Sequence, residues 1–198
     1  MPKLHKESSV HSLIRVTIVG LLLFACAQMV SAKDPKQARA DIQKMRVETL
    51  AKLYKIHPAA KARIEEAPGY AVFSNVGINL VVLSAAGGHG VAHDNKSGRD
   101  TYMKMVSGGL GLGLGVKDFR GVFVFSTTDK LDHFIHSGWE ANVQADAAAK
   151  SNEKGAAISG AITVAPGVDL YQITENGLAL QATIQGTKYF KNDDLNIK

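Results

Sequence analysis

Seven histidines and a single cysteine are the side chains from which catalysis or metal binding would have to be built in this chain. His133 and His136 stand three apart beside Asp129 and Asp132, in a stretch that reads as a short helix. That spacing puts two imidazoles and a carboxylate on one side. A metal site needs three or four converging ligands, and no cysteine pair or further Glu/His pair supplies the rest. The stretch is therefore read as a solvated helix face, and no metal is assigned. His89 and His93 share a face of one predicted strand, but a four-residue separation at ~3.3 Å each leaves them about 13 Å apart. No Ser, His and acid occur in a nucleophile-elbow or other recognisable catalytic setting. The glycine run at 109–115 leads through Lys117, Asp118 and Phe119 to another strand, whereas a dinucleotide fingerprint must open a helix. The chain is read as non-enzymatic, with no cofactor and no nucleic acid as partner.

What the chain does carry is positive charge, unevenly placed. It has 23 Lys and Arg against 18 Asp and Glu, for a net charge of +5. Segment 33–66 alone holds Lys33, Lys36, Arg39, Lys44, Arg46, Lys52, Lys55, Lys61 and Arg63 against Asp34, Asp41, Glu48, Glu65 and Glu66. Lys36, Arg39, Lys44, Arg46, Lys52 and Lys55 flank the apolar stripe of one predicted helix. That composition suits a helix lying on an anionic membrane surface, where each cation adds at most ~1 kcal/mol. The competing reading packs the stripe on a sheet and leaves the charges solvated; the two agree if only the charged rim meets lipid.

The first 32 residues read as an export signal. Lys3, Lys6 and Arg15 precede an uncharged apolar run over 16–27, and Val30 and Ala32 supply small residues before a cut after Ala32. As a helix the run reaches ~18 Å, short of the ~30 Å hydrocarbon core, so it is not read as a permanent anchor. Leu23-Phe24-Ala25-Cys26 offers the alternative of a lipoprotein acylated at Cys26. The expected location is periplasmic or secreted. With Cys26 the only cysteine, no intramolecular disulfide can form.

The elements that must position these side chains are legible from periodicity. Asp34-Pro35 reads as a helix start, and Ile42, Met45, Thr49, Leu53 and Ile56 form one stripe that Leu50 and Tyr54 widen, before Pro58 ends it. A second helix is predicted over about 59–66, closed by Ala67-Pro68-Gly69. From Tyr70 onward, alternation punctuated by Gly and Asn/Asp predicts a meander of about eight strands (70–73, 78–86, 90–93, 101–107, 110–116, 121–126, 141–149 and 156–165), completed by a hairpin of 168–173 and 178–184. Asn95-Lys96-Ser97-Gly98 and Glu175-Asn176-Gly177 are its hairpin turns, in which Asn and Gly would accept positive φ. Thr127-Thr128-Asp129 caps one internal helix with Leu131, Phe134 and Ile135 as its apolar face. Trp139 is expected to pack at one end of the sheet. The fold class is α+β: an antiparallel sheet closed or nearly closed into a barrel or sandwich, with two N-terminal helices and one internal helix. Residues 33–66 and 67–198 are expected to make one structural unit. The helices and the lack of aromatic girdles speak against an outer-membrane barrel.

The stretch from Pro68 to Asn196 resembles the SYLF domain family, in its bacterial secreted form. The resemblance rests on Gly69-Tyr70-Ala71-Val72-Phe73 with Val76, Gly87-Gly88-His89-Gly90, the run at 108–115, Gly138-Trp139-Glu140, Asp169-Leu170-Tyr171, Gly177-Leu178 and Gly186-Thr187-Lys188-Tyr189. It implies binding to membrane phospholipids, phosphoinositides in eukaryotic members, and actin in some. Only the acidic-lipid part is carried over here; actin is not expected as a partner in a bacterial envelope. The loop at 94–99 contributes Lys96 and Arg99 to the headgroup side, and the N-terminal helix contributes the rest. The expected function is non-catalytic phospholipid binding at the cell envelope, the alternative being a protein-interaction or structural module without lipid affinity.

Overall fold

The computed structural model describes residues 34–77, 84–109, 120–140, 159–174, 177–179 and 187–197. Helices α1 (Pro35–Ile56) and α2 (Ala59–Glu66) come first, then β1 (Gly69–Gly77), β2 (Ser84–Asp94), β3 (Asp100–Gly109) and β4 (Arg120–Phe125). Helix α3 (Thr128–His136) precedes β5 (Trp139–Glu140), β6 (Ile162–Ala165), β7 (Val168–Thr174), β8 (Gly177–Ala179), β9 (Thr187–Lys191) and a 3-10 turn at Asp193–Leu195. The strands make one antiparallel sheet in the order β5-β9-β3-β2-β1-β4-β7-β6, with β8 beside β6 on the far edge of β7. The fold is α+β with a curled, nearly closed sheet, as expected.

Directly opposed residues of antiparallel strands point to the same face, so the register sorts the sheet into cross-strand rows. On the inner face Phe73, Phe123, Met103, Met105 and Tyr189 meet Leu131, Phe134 and Ile135 of α3. The Phe73 and Tyr189 rings lie edge-on at 4.8 Å and those of Phe123 and Tyr189 at 5.0 Å. Trp139 packs half-buried against this cluster, 5.7 Å from Phe123. On the outer face the row Tyr102–Val91–Val72–Val122–Tyr171 crosses five strands. Helix α1 lies along it: Ile42 packs with Val91 and Tyr102 near one end, and Leu53 with Val72, Val122 and Tyr171 near the other. Burial of this stripe, and not helix propensity alone, holds α1 in place.

The neighbouring outer row is Asp100–His93–Tyr70–Val124–Asp169. A carboxylate stands at each end, and each is held by an arginine from a helix: Arg46 of α1 on Asp100, and Arg63 of α2 on Asp169. The two helices are thus fastened to one row of the sheet by ion pairs on either side of the apolar contact.

Several local expectations hold. Thr127 caps α3, its hydroxyl accepting from Lys130 N at 3.3 Å, and Gly138 ends it at φ +73°. Others are corrected. The separate strands expected at 78–86 and 90–93 are one strand over their described part, β2, which runs unbroken through Gly87-Gly88-His89-Gly90. Gly88 and Gly90 make room for neighbours instead of a turn: a Cβ on Gly90 would meet the Val72 carbonyl and the Phe73 ring, and one on Gly88 would meet the Ser74 carbonyl and Met105. Ile56 is 41% exposed, so the buried stripe stops at Leu53 and is continued by Ala60 and Ile64 of α2. Only Gly98 takes positive φ in the 94–99 turn; Asn95 instead donates from Nδ2 to the carbonyls of Ile64 and Ala67, both at 2.8 Å, capping α2. Strands β5 and β9 and the turn at Asp193–Leu195 were not expected. The export signal with Cys26, the run at 110–115, the strand at 141–149 and the turn residues Glu175 and Asn176 lie outside the described residues.

Candidate functional site

Helix periodicity divides the six cations of α1 into groups with different surroundings. Arg39 and Arg46, seven apart, lie along the flank nearest the 94–100 hairpin and the C-terminal turn. Arg39 donates from Nε to Leu195 O at 2.9 Å and from Nη2 to Ile197 O at 3.0 Å. Arg46 donates from Nη1 to Asp100 Oδ1 at 2.8 Å, and both partners are mostly buried. Asp100 also accepts from Gln43 Nε2 at 2.8 Å and shares Oδ1 with His93 Nδ1 at 2.6 Å. Gln43 reaches the Tyr102 hydroxyl as well. These side chains hold the fold together and are not open to a ligand.

The opposite flank carries Lys44, Glu48, Lys52 and Lys55, at i, i+4, i+8 and i+11. Lys52 donates to Thr174 O at 3.0 Å, and Arg120 on β4 approaches Glu48 at 3.9 Å. Lys44 reaches Glu48 only at 4.0 Å and is 78% exposed. Turned outward is an exposed stripe of Lys36, Ala40, Lys44, Val47, Ala51 and Lys55, with the exposed Glu48 at its border. Val47 is 63% exposed in its middle. Of the two sequence readings, the one that packs the apolar stripe on the sheet holds, and the cations that remain exposed lie on the helix's solvent side.

Lys96 and Arg99 are not brought to that stripe. The Asp94 carboxylate organises their turn, accepting from the Ser97 hydroxyl at 2.6 Å and the Lys96 N–H at 2.9 Å. The Ser97 hydroxyl, helped by those amides, holds its pKa below the usual carboxylate range. Lys96 Nζ donates to Thr128 Oγ1 of α3 at 3.0 Å, and Arg99 Nε to Ser97 Oγ at 3.3 Å. The eight cations singled out from sequence therefore form no single site. What sequence reading missed are Lys104, Arg120 and Lys188, scattered over 85 positions and gathered on the outer face only by strand register.

A shallow cleft of about 480 Å³ lies between α2 and the ends of β4 and β7, lined in part by Ala62, Arg63, Glu66, Pro68, Ser126 and Asp169. Its arginine is committed to Asp169 and stands beside a second carboxylate, so it has no surplus positive charge for an anion. Among the described residues no group of three or more His, Cys, Asp or Glu side chains is placed to hold a metal ion, and His133 and His136 are exposed. Among them, too, no helix is long and apolar enough to cross a membrane.

Four tyrosines have phenols shifted upward. Burial pushes Tyr189 far up and Tyr54 to about 12, and also raises Tyr70 and Tyr171, beside which Arg46 and Arg63 pull the other way. A folded-state pKa above the free value means that the neutral phenol is favoured by folding. That contribution is complete below pH 10 and is lost as pH rises through the folded values. Alkaline unfolding is expected to begin above pH 10, with tyrosinate absorbance and loss of near-ultraviolet circular dichroism rising together. Tyrosines that all ionised near pH 10 with the fold intact would contradict the burial described.

The class defined by these features is an α+β domain with a basic, solvent-facing helix laid across a curled antiparallel sheet. No family model matches the chain. It is similar to Beta cell expansion factor A of Aeromonas veronii, with 38% identity over 170 residues, covering 85% of this chain. The chain spans 62% of the length of that relative.

Proposed function

We propose that the protein is a non-catalytic, SYLF-type binder of anionic phospholipid surfaces in a bacterial cell envelope, periplasmic or secreted. The observation that carries this reading is the outward stripe of α1. Lys36, Lys44 and Lys55 surround the exposed Val47, with Glu48 as the one exposed acid of the helix beside them, whereas Arg39, Arg46 and Lys52 are turned to the backbone or to Asp100. A stripe of this kind, with lysines in excess over its one bordering acid, suits a membrane plane, on which lysine ammonium groups meet phosphates and the short apolar side chains reach the acyl boundary. The contact is peripheral and depends on ionic strength.

Co-sedimentation with phosphatidylcholine vesicles, with and without phosphatidylglycerol, across a salt series tests it. Binding is expected only to the anionic vesicles and is expected to fall with salt. Changing Lys36, Lys44 and Lys55 together to Gln should weaken it roughly 10- to 100-fold, at ~1 kcal/mol or less per cation. Glu48→Gln, which removes the nearest carboxylate, should strengthen it a few-fold. Failure of the unaltered chain to bind either vesicle would sink the reading.

A further inference from the structure

One row beyond the one covered by α1, the outer face carries Arg120, Ser74, His89, Lys104 and Phe190 in direct register across β4, β1, β2, β3 and β9. The row after that holds Gly87, Val106, Lys188 and Glu140. Among the described residues none covers this part of the sheet: Val106 is 49% and Phe190 39% exposed, and a Cβ built on Gly87 would meet none of them within 4 Å. Val106 pairs with Lys188 and Phe190 with Lys104, so two large apolar side chains alternate with two lysines on adjacent strands.

The α1 flank of Lys44, Glu48, Lys52 and Lys55 borders these rows. Glu48 approaches Arg120, and Lys52 holds the carbonyl of Thr174, the residue after Arg120's partner Ile173. Lys44, Lys52, Lys104, Arg120 and Lys188 thus border a surface whose paired carboxylates, among the described residues, are Glu48, Glu140 and Asp194. The Lys104–Asp194 and Lys188–Glu140 pairs are solvent-exposed, and Arg120–Glu48 stands at 3.9 Å. Such pairs are weak and screened, and phosphate can take the place of either carboxylate.

We propose that this open face of β3 and β9, with the adjoining flank of α1, is the part of the protein that enters an anionic bilayer: Lys104, Lys188 and Arg120 engage lipid phosphates, and Val106 and Phe190 reach the acyl boundary. The inference rests on the lipid-binding reading above and locates its insertion surface. A soluble phosphate compound would use the cations and leave both apolar side chains idle; a bilayer uses both.

The test uses the full chain with Cys26→Ser, in which Val106→Cys, or in a second variant Phe190→Cys, is the only thiol and carries an environment-sensitive nitrobenzoxadiazole dye. On phosphatidylglycerol-containing vesicles the emission of both labelled variants is expected to brighten and shift to the blue, with no change on phosphatidylcholine alone. Lys104→Gln with Lys188→Gln should weaken vesicle binding about tenfold. Silent dyes at both positions on vesicles that still sediment the protein would overturn the inference and leave the lipid reading standing. No sedimentation of the unlabelled chain would overturn both. A dye response given equally by free glycerol phosphate would overturn the membrane assignment in favour of a soluble-anion site.

Discussion

Gly90→Ala is expected to cost about 3 kcal/mol or more and to leave little folded protein, because the added methyl meets backbone as well as side chain. The Val72 carbonyl belongs to the hydrogen-bonded ladder of β1 and β2, and the Phe73 ring sits in the centre of the inner aromatic cluster, so neither can yield without opening the core. The matched control is three residues away. Gly87 belongs to the same strand and has no described residue within 4 Å of an added Cβ, so Gly87→Ala should be neutral or gain up to ~1 kcal/mol from reduced freedom of the unfolded chain. Urea titration followed by the fluorescence of Trp139, the only tryptophan and one packed on the inner cluster, reads both variants. Equal losses at the two positions would show that strand propensity, and not close approach, explains the glycines.

The second large effect is expected at Asp100. Its carboxylate accepts from Arg46 and Gln43 of α1 and is hydrogen-bonded to His93 Nδ1 of β2, and the side chain is only 25% exposed. Asp100→Ala leaves Arg46, itself 20% exposed, without its counter-charge, and strands the Gln43 and His93 contacts together. A loss of about 2–4 kcal/mol is expected. Because the members act as one unit, a double-mutant cycle with Arg46→Ala should return a coupling of about 1–3 kcal/mol, measured from urea midpoints. Simple additivity would mean that α1 is held by its apolar stripe alone.

How far the chain could be read in advance follows from which physical signal each part carries. Helix α1 was legible because Ile42, Thr49 and Leu53 repeat at helical spacing, and α3 because Thr127 caps a clear apolar face. The alternating class of the remainder was legible too. The end of the stripe was not: Ile56 has the spacing of a core residue, but the chain turns at Pro58 and presents Ala60 and Ile64 in its place. Nor was β2, since Gly-Gly-His-Gly has the composition of a turn and reveals its role only when Phe73, Met103 and Met105 are seen beside it. The site was the least legible. Charge density along α1 is plain in the sequence, yet which of its cations face outward depends on where Asp100, Thr174 and Leu195 lie, far along the chain. The basic row of the sheet has no sequence signature at all, because register between distant strands creates it.

That Arg39 is bonded to carbonyls as far as 156 and 158 positions along the chain bears on the order of assembly. Helix α1 is the first described element in the chain, but the surface it covers ends on Tyr171, and its N-terminal half is secured by residues 195 and 197. Tyr102 closes the same knot, donating its N–H to Asn196 Oδ1 while its carbonyl accepts from Asn196 Nδ2. The strands up to β4 already offer α1 an apolar surface, but its N-terminal half is not fastened until the C-terminal turn is in place. Closing so long a loop slows the final step of assembly.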